Sequence, residues 1–350
     1  MAATMSDVAR VAGVSTKTVS NYFNGYPYMR PETRARIDRA VDELGYRMNG
    51  SARSLRSGRS RMLALVIPEL DSSYLSGLAQ NVIEAAEERG FSVLVETTAG
   101  RREREVAVLS GMHRQLVDGV IFEPLALGPE DSGLLNMNVP IVMIGQRFFD
   151  GLADHVLISD RRAARAAVEH LLTIGRRRIA VVGVGPAPEP WGAALRRRGA
   201  EDALVAAGLS VAEELMVDPG PWSHNSGAGA IARLLDDGVR FDAVFGLNDD
   251  LALGAQWMLQ ERGLRVPEDV AVVGLDATKE SRFTRPSLTT VSPGRGEIAR
   301  RAVEMLTERI NGAGKVGQFR TEMVEFELLV RSSTVPGGRV AEAAGTLPSR

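Results

Sequence analysis

Two kinds of hydrophobic pattern alternate along most of the chain. Short runs rich in valine, isoleucine and leucine, bounded by glycine, proline or asparagine, fall at 63–68, 92–97, 119–124, 140–145, 178–183, 243–248 and 270–276. Longer stretches such as SGLAQNVIEAAEERG and RRAARAAVEHLLTIG lie between them, with apolar residues three or four apart. A strand buried on both faces is apolar throughout, whereas a helix covering a sheet needs a single apolar stripe. The alternation predicts parallel sheets covered by helices on both faces. More than six such strands exceed one compact doubly wound unit, so two similar α/β subdomains are expected over 61–334. Ligands in such folds sit at the carboxyl ends of strands, which here means a cleft between the subdomains.

The first 47 residues follow a different rule. Ser6 is placed to N-cap a short helix through Ala12, with Asp7 in its first turn. Gly13 ends it, Ser15 caps a second helix running to about Asn24, and Gly25 stops that one. Two short helices joined by a glycine-containing turn form a helix-turn-helix. Val8, Ala9 and Ala12 face inward from the first helix, and Val19, Tyr22 and Phe23 from the second. Thr16, Lys17, Ser20, Asn21 and Asn24 are left on the opposite face. That face suits a DNA major groove, or it simply meets water. A third helix is expected from about Pro31 to Leu44, with Ile37, Ala40, Val41 and Leu44 as its stripe and Gly45 beyond its end.

Residues 48–60 fit neither pattern. NGSARSLRSGRS carries Ala52 and Leu55 three apart on an otherwise polar, arginine-rich segment, too short for a stable isolated helix. By itself it reads as a flexible basic linker. Charge sharpens the division. Residues 1–61 hold eleven Lys/Arg against five Asp/Glu, and the remaining 289 hold 31 against 39. A basic head on an acidic body points to a polyanionic partner for the head, unless the basic face is merely solvated.

Composition removes several classes. There is no cysteine, so disulfides and thiolate metal sites are excluded. The four histidines, at 113, 155, 170 and 224, do not share metal-ligand spacing on one helix. No apolar run reaches membrane-spanning length and the N-terminus has no signal-peptide core, so a cytoplasmic protein is expected.

The head resembles the DNA-binding domain of the lactose/galactose repressor family of bacterial transcription regulators. The resemblance rests on DVARVAGVSTKTVSNYFNG followed by RPETRARIDRAVDELGYRMN, which carry D-V-A-x-x-A-G-V-S-x-x-T-V-S-x-x-x-N throughout. It implies that Thr16, Lys17 and Asn21 read base edges. Thr4, Ser15, Thr18, Ser20, Asn24 and Thr33 would hold phosphates. Arg30 stands where the family often has serine. NGSARSLRSGRS matches the family's hinge helix, which orders on DNA. Leu55 would then wedge the minor groove, flanked by Asn49, Ala52, Arg53 and Arg56. Gly50 is less helix-favouring than many residues at its place.

The resemblance continues to about Thr334 through AVEHLLTIGRRRIAVVG, FDAVFGLNDDLALGA, GLRVPEDVAVVGLD and RPSLTTV. It implies a periplasmic-binding-protein-like effector domain whose cleft includes Arg196, Asn248 and Asp276. Arg196 and Asp276 can clamp neighbouring hydroxyls of a sugar-like ligand, one donating and one accepting. Trp222 is placed to stack on an apolar sugar face. Asp71, Ser73, Tyr74, Phe122 and Arg147 are candidates from the first subdomain. Each of these also has a structural alternative: Asp276 as a helix cap, Trp222 as core. After the strand at 288–291 this chain reads SPGRG, where many members carry glutamine.

Other signals are discounted. GVGPAP lacks the third glycine of a nucleotide loop, His170 reads as packed or solvent-facing, and Arg176, Arg177 and Arg178 read as a solvated turn. The tail, 335–350, has no leucine heptads and is expected to be disordered, so a homodimer is expected rather than a coiled-coil tetramer. A transport-linked solute-binding protein would need a signal peptide. An enzyme on the same scaffold would need a phosphate loop, metal cluster or nucleophile–base pair, and none is legible. The expectation is therefore a non-enzymatic regulator without a cofactor. It would bind a pseudo-palindromic double-stranded operator and a carbohydrate or nucleoside-like effector.

Overall fold

The computed structural model describes residues 3–23, 26–46, 59–110, 116–128, 131, 133–134, 139–145, 152–185, 191–312 and 318–336. Asn24, Asn49, Ala52, Arg53, Leu55, Arg56 and Arg147 lie outside the described residues, as does the tail from 337. The chain divides into two compact units, Met1–Ser60 and Arg61–Arg350.

The first unit holds three helices, α1 (Met5–Ala12), α2 (Thr16–Phe23) and α3 (Pro31–Leu44). Val8, Ala9, Ala12, Val19, Ile37, Ala40 and Tyr46 form its core, with Tyr22, Phe23, Val41 and Leu44 packed at the edge. The cap of α1 differs from the sequence reading. Thr4 is the N-cap rather than Ser6, because Thr4 and Asp7 close a reciprocal capping box. The Asp7 N–H donates to Thr4 Oγ1 at 3.3 Å, and the Thr4 N–H donates to Asp7 Oδ2 at 3.0 Å. The turn after α1 needs its glycine. Gly13 has φ 60, and Arg36 of α3 donates from Nη2 to the Gly13 carbonyl at 2.7 Å and from Nε to the Ala12 carbonyl at 2.9 Å. At Gly45 the chain leaves α3 in the left-handed conformation at φ 56.

The second unit contains two six-stranded sheets. Strands β1 (Met62–Ile67), β2 (Ser92–Thr97), β3 (Gly119–Phe122), β4 (Ile141–Ile144), β5 (Asp154–Ile158) and β11 (Thr321–Val324) form the first, in the order β11-β5-β4-β3-β1-β2. Its neighbours all pair in parallel. The second is ordered β12-β10-β9-β8-β6-β7. Its strands are β6 (Ile179–Val182), β7 (Met216–Val217), β8 (Ala243–Gly246), β9 (Ala271–Leu275), β10 (Thr289–Ser292) and β12 (Glu327–Leu329). All its pairs are parallel except the edge pair β10–β12. Every strand anticipated from the sequence is present, with ends shifted by a residue or two.

The covering helices, in chain order, are α4 (Ser73–Glu87), α5 (Arg102–Leu109), α6 (Asp160–Thr173), α7 (Trp191–Ala206), α8 (His224–Asp236), α9 (Asp249–Glu261), α10 (Lys279–Phe283) and α11 (Arg295–Ile310). The division is not a simple first half and second half. Side chains of α11 such as Ile298, Ala302 and Leu306 belong to the first sheet's core, beside Leu63, Leu78 and Ile121. The chain therefore crosses between subdomains three times, after Ile158, after Ser292 and after Val324. Each crossing lies beside the carboxyl end of a strand, and so places linkers and ligand-bearing loops at one end of both sheets.

Candidate functional site

In the head, α2 presents the expected face. Val19 is fully buried, which turns Thr16 and Lys17 outward, and both are exposed. Asn21 and Ser20, one turn on from Lys17 and Thr16, are half-buried. Ser15 caps the helix as read: its Oγ accepts the Thr18 N–H at 3.1 Å and lies 2.8 Å from the Thr18 hydroxyl. The Thr4 hydroxyl donates to Asp7 at 2.7 Å, so a phosphate would compete with the cap for its proton. Thr33 sits half-buried in the first turn of α3. A partner missed by sequence reasoning is Asp38, which accepts the Tyr22 hydroxyl and holds α2 against α3.

In the body, the carboxyl ends of β8 and β9 carry the predicted trio. Asn248 follows β8 and N-caps α9, its Oδ1 accepting the Leu251 N–H at 2.9 Å. Its amide NH2 and the second lone pair of Oδ1 remain to meet a ligand. Asp276 follows β9, and its backbone stands at φ 130 with Ala277 at φ 50. Two consecutive non-glycine residues at positive φ store strain that neighbouring bonds must hold. Those bonds are the Asp276 N–H to the Val291 carbonyl at 2.9 Å and the Ala277 N–H to Thr290 Oγ1 at 3.2 Å. Beneath them the fully buried Asp249 accepts the Thr278 N–H at 2.8 Å, the Thr278 hydroxyl at 3.0 Å and the Thr290 hydroxyl at 2.6 Å. Asp249 therefore sets the loop that aims Asp276.

Arg196 reaches this point from α7. Its Nε donates to Asp160 Oδ1 at 2.7 Å, its Nη1 donates to the Leu247 carbonyl at 2.6 Å, and Nη1 is 3.8 Å from Asp276 Oδ1. The guanidinium also lies over the Trp222 ring, 5.8 Å from the centroid. Trp222 is thus partly core and partly cleft wall: it packs on both hydrophobic layers of the second sheet yet stays half-exposed. Burial opposes the charge on Arg196, but Asp160 and Asp276 outweigh it and raise its pKa. Burial drives the Asp276 carboxyl well above the carboxylate range, with Arg196 pulling it back.

The first subdomain meets this group through Tyr74 and Glu123. Burial, then the charges of Glu123 and Asp276, hold the Tyr74 phenol well above its ordinary pKa. Glu123 follows β3 and is pushed up to about 7 by burial, with Arg196 opposing and Asp160 adding to the rise. Phe122 does not line the cleft. It is fully buried in the apolar layer with Val66, Leu109 and Met143, because side chains alternate along β3 and its turn faces that layer. Its neighbour Glu123, beyond the strand end, is half-buried and reaches the electrostatic surroundings of Arg196 instead; in the sequence it is the lone charge closing the run GVIFEP. Ser73 contributes its carbonyl to Arg295 Nη1 at 3.4 Å, and that guanidinium lies 5.9 Å from the Tyr74 ring centroid. Asp71 is exposed and repels Glu69 and Asp250, raising both their pKa values after burial has done so first. His224 faces Asp250 at 3.7 Å.

The architecture and the two sites define a class: a three-helix DNA-reading head joined to a two-subdomain ligand-binding body. Comparison with known proteins gives the same result. The family described as "Bacterial regulatory proteins, lacI family" matches residues 4–49, and a periplasmic binding protein-like domain matches residues 168–334. Catabolite control protein A of Priestia megaterium is 32% identical, over 89% of this chain and 93% of its own length. The solved complex of transcriptional regulator CelR with cellobiose is 33% identical, with a TM-score of 0.68, over 95% of this chain and 99% of that one. The lac repressor dimer bound to operator and the anti-inducer ONPF is 27% identical, with a TM-score of 0.80, over 95% and 99%. The chain belongs to the lacI family of bacterial transcription regulators. It is a ligand-responsive DNA-binding regulator and not an enzyme. No helix among the described residues is long and apolar enough to cross a membrane.

Proposed function

We propose that this chain is a cytoplasmic, homodimeric repressor that leaves its operator when a small sugar-like effector enters the cleft. The observation that carries the reading is Arg196, held by Asp160 and the Leu247 carbonyl while facing Asp276 and Trp222. A donor fork beside an acceptor carboxylate suits vicinal hydroxyls, and a half-exposed indole suits the apolar face of a sugar ring. The complex of CelR with cellobiose supports a sugar as the class. Tyr74, Asp71 and Ser73 act from the facing subdomain, with Arg147 as a further contact outside the described residues.

In the head, Thr16, Lys17 and Asn21 read bases, while Thr4, Ser15, Thr18, Ser20, Asn24 and Thr33 hold phosphates. Residues 48–60 couple the head to the body: Leu55 wedges the minor groove, and Asn49, Ala52, Arg53 and Arg56 support it. Residues 1–47 form the DNA-binding domain and 61–334 the effector domain. A ligand regulates DNA binding only if it prefers one of the two states, and the cleft angle is the coordinate on which such a preference acts. The test has two parts. A thermal-shift screen over sugars and nucleosides identifies the effector by mass action. An operator titration with and without the hit then reads release. A hit that tightens operator binding makes the protein corepressor-dependent, and a screen without hits removes the sugar reading.

A further inference from the structure

The group around Arg196 holds more carboxylates than cations among the described residues. Among the described residues three carboxylates act on the single guanidinium of Arg196: Asp160 at 2.7 Å, Asp276 at 3.8 Å, and Glu123 through space. Asp160 is satisfied by the direct pair, and Asp276 is 7% exposed and only loosely paired. Glu123 is the outlier. Its side chain lies against the backbone of Gly145 at the end of β4, and its Oε2 is sealed from solvent with no hydrogen-bond partner among the described residues. A sealed acceptor without a donor is costly unless a bound group completes it. Tyr74, which feels Glu123 more strongly than any other charge, keeps its proton and supplies no cation. Arg295 donates from Nη1 to the Ser73 carbonyl and covers the Tyr74 ring, and its buried Nε has no hydrogen-bond partner among the described residues.

The geometry points to an effector that carries an ammonium group beside its hydroxyls, an amino sugar by class, with Glu123 as the residue that selects for it. This rests on the sugar reading above and narrows it. The Arg196–Asp276 side orients hydroxyls as proposed there, while Glu123 Oε2 and Asp276 accept from the ammonium across the cleft. A charge-assisted bond between ammonium and carboxylate in a site screened from water is about twice as strong as a neutral one. The direction of the Glu123 pKa agrees: without a compensating cation, burial drives the carboxyl towards its neutral form, and a bound ammonium would return it to the ionised one.

The test compares matched sugars on the full-length protein by calorimetry: D-glucosamine with D-glucose, D-galactosamine with D-galactose, and cellobiose and D-ribose as further neutral probes. At a pH of about 6.5, where both amino sugars stay protonated, at least one should bind about tenfold or more tightly than its neutral parent. Its affinity should rise from a pH of about 5.5 to about 7 as Glu123 ionises, and binding should release protons. Glu123→Gln should remove most of the preference and the pH dependence together. Neutral parents that bind as tightly as the amino sugars overturn this inference and leave the sugar reading standing. An affinity that falls as pH rises also overturns it, because Glu123 then donates a proton to a neutral ligand oxygen. A panel in which no compound binds overturns both. The wild-type pairs and pH series decide the matter even if the Gln variant does not fold.

Discussion

Arg196 Nε lies 2.7 Å from Oδ1 of Asp160, and the two residues come from different helices of the second subdomain. Asp160 opens α6 directly after a crossing from the first subdomain, whereas Arg196 comes from the middle of α7. The pair therefore fixes the Arg196 guanidinium to the start of α6, where the chain enters the second subdomain. Both side chains are largely buried, at 15% and 2% exposure, so removing one partner strands a charge. Asp160→Ala should destabilise the effector domain by about 3–5 kcal/mol, the usual cost of breaking a buried pair. Asp160→Asn, which keeps a hydrogen-bond acceptor, should cost less. Denaturant melts of the two variants give the comparison, and equal losses would show that packing rather than charge holds the contact.

Asp276→Ala should abolish the effector response while operator affinity without effector stays within about twofold, since Asp276 belongs to the second unit and the head's core is built from its own residues. The mutant would remain on DNA at effector concentrations that release the wild type. Relief of backbone strain complicates only stability, because alanine is no easier to hold at φ 130 than aspartate. Operator titrations across an effector series provide the measurement. A mutant released at the wild-type concentration would place the effector elsewhere.

Glu123 gives the effector domain a pH-dependent stability of definite sign. Its pKa is about 7 in the folded chain, against 4.5 for an unperturbed glutamate. The folded state therefore binds this proton more tightly than the unfolded state. Its contribution is fully present below the unfolded value and is lost as pH rises through the folded one. The loss amounts to no more than about 3 kcal/mol above neutrality. Glu123→Gln should consequently stabilise the apoprotein at a pH of about 8 and leave it unchanged near pH 4, below the unfolded value of 4.5. Melting curves at the two pH values test this, and a gain of equal size at both would assign it to packing.

The strands were legible because burial on both faces makes a run such as IAVV or AVVGL apolar at every position. Those that escaped were the ones the rule does not cover. DHVLI begins with two polar residues because Asp154 takes Arg309 at 2.8 Å and His155 starts at a sheet position beside β11. The edge strands Met216–Val217, Thr321–Val324 and Glu327–Leu329 are too short or too polar to stand out. Among the proposed cleft residues, Arg196, Asn248 and Asp276 could be read by motif, and Trp222 by its place in PWSHNSG. Asp160, Asp249 and Glu123 could not, because their roles depend on which sheet end the chain crosses to, and no local pattern encodes that. Phe122 and Glu123 show the limit most clearly: one residue of register separates a fully buried side chain from a half-buried one at the strand end.

The turn of the helix-turn-helix is held by a contact that sequence reading passed over. Arg36 donates to the carbonyls of Ala12 and Gly13, and a methyl group on Gly13 would stand 2.6 Å from its guanidinium. Gly13 also stands at φ 60, where an L side chain is strained. Gly13→Ala should therefore cost the head about 1 kcal/mol or more from conformation alone. Arg36→Ala should lower its melting temperature without changing which operator bases are preferred. A shift in base preference for Arg36→Ala would instead make it a DNA contact.

Lys17 carries the sharpest prediction about DNA. Val19 is fully buried and fixes the rotation of α2, so Lys17 and Thr16 point away from the head's core. Lys17 makes no ion pair with any described residue within 4.0 Å, so its ammonium is not tied to the surface on which it stands. Asn21 follows one helical turn later on the same side, as a pair reading adjacent base edges would require. An ammonium in the major groove meets the O6 and N7 acceptors of guanine, and the loss of such a contact costs about 1–3 kcal/mol. Lys17→Ala should weaken binding to the cognate operator by that amount and relax preference at one base pair of each half-site. Binding to random duplex should fall far less, and the salt slope should barely change, since a phosphate contact accounts for about one unit of it. Competition titrations on operator and random DNA at two salt concentrations separate the cases. Equal weakening on both duplexes, with a shallower salt slope, would assign Lys17 to the phosphate backbone.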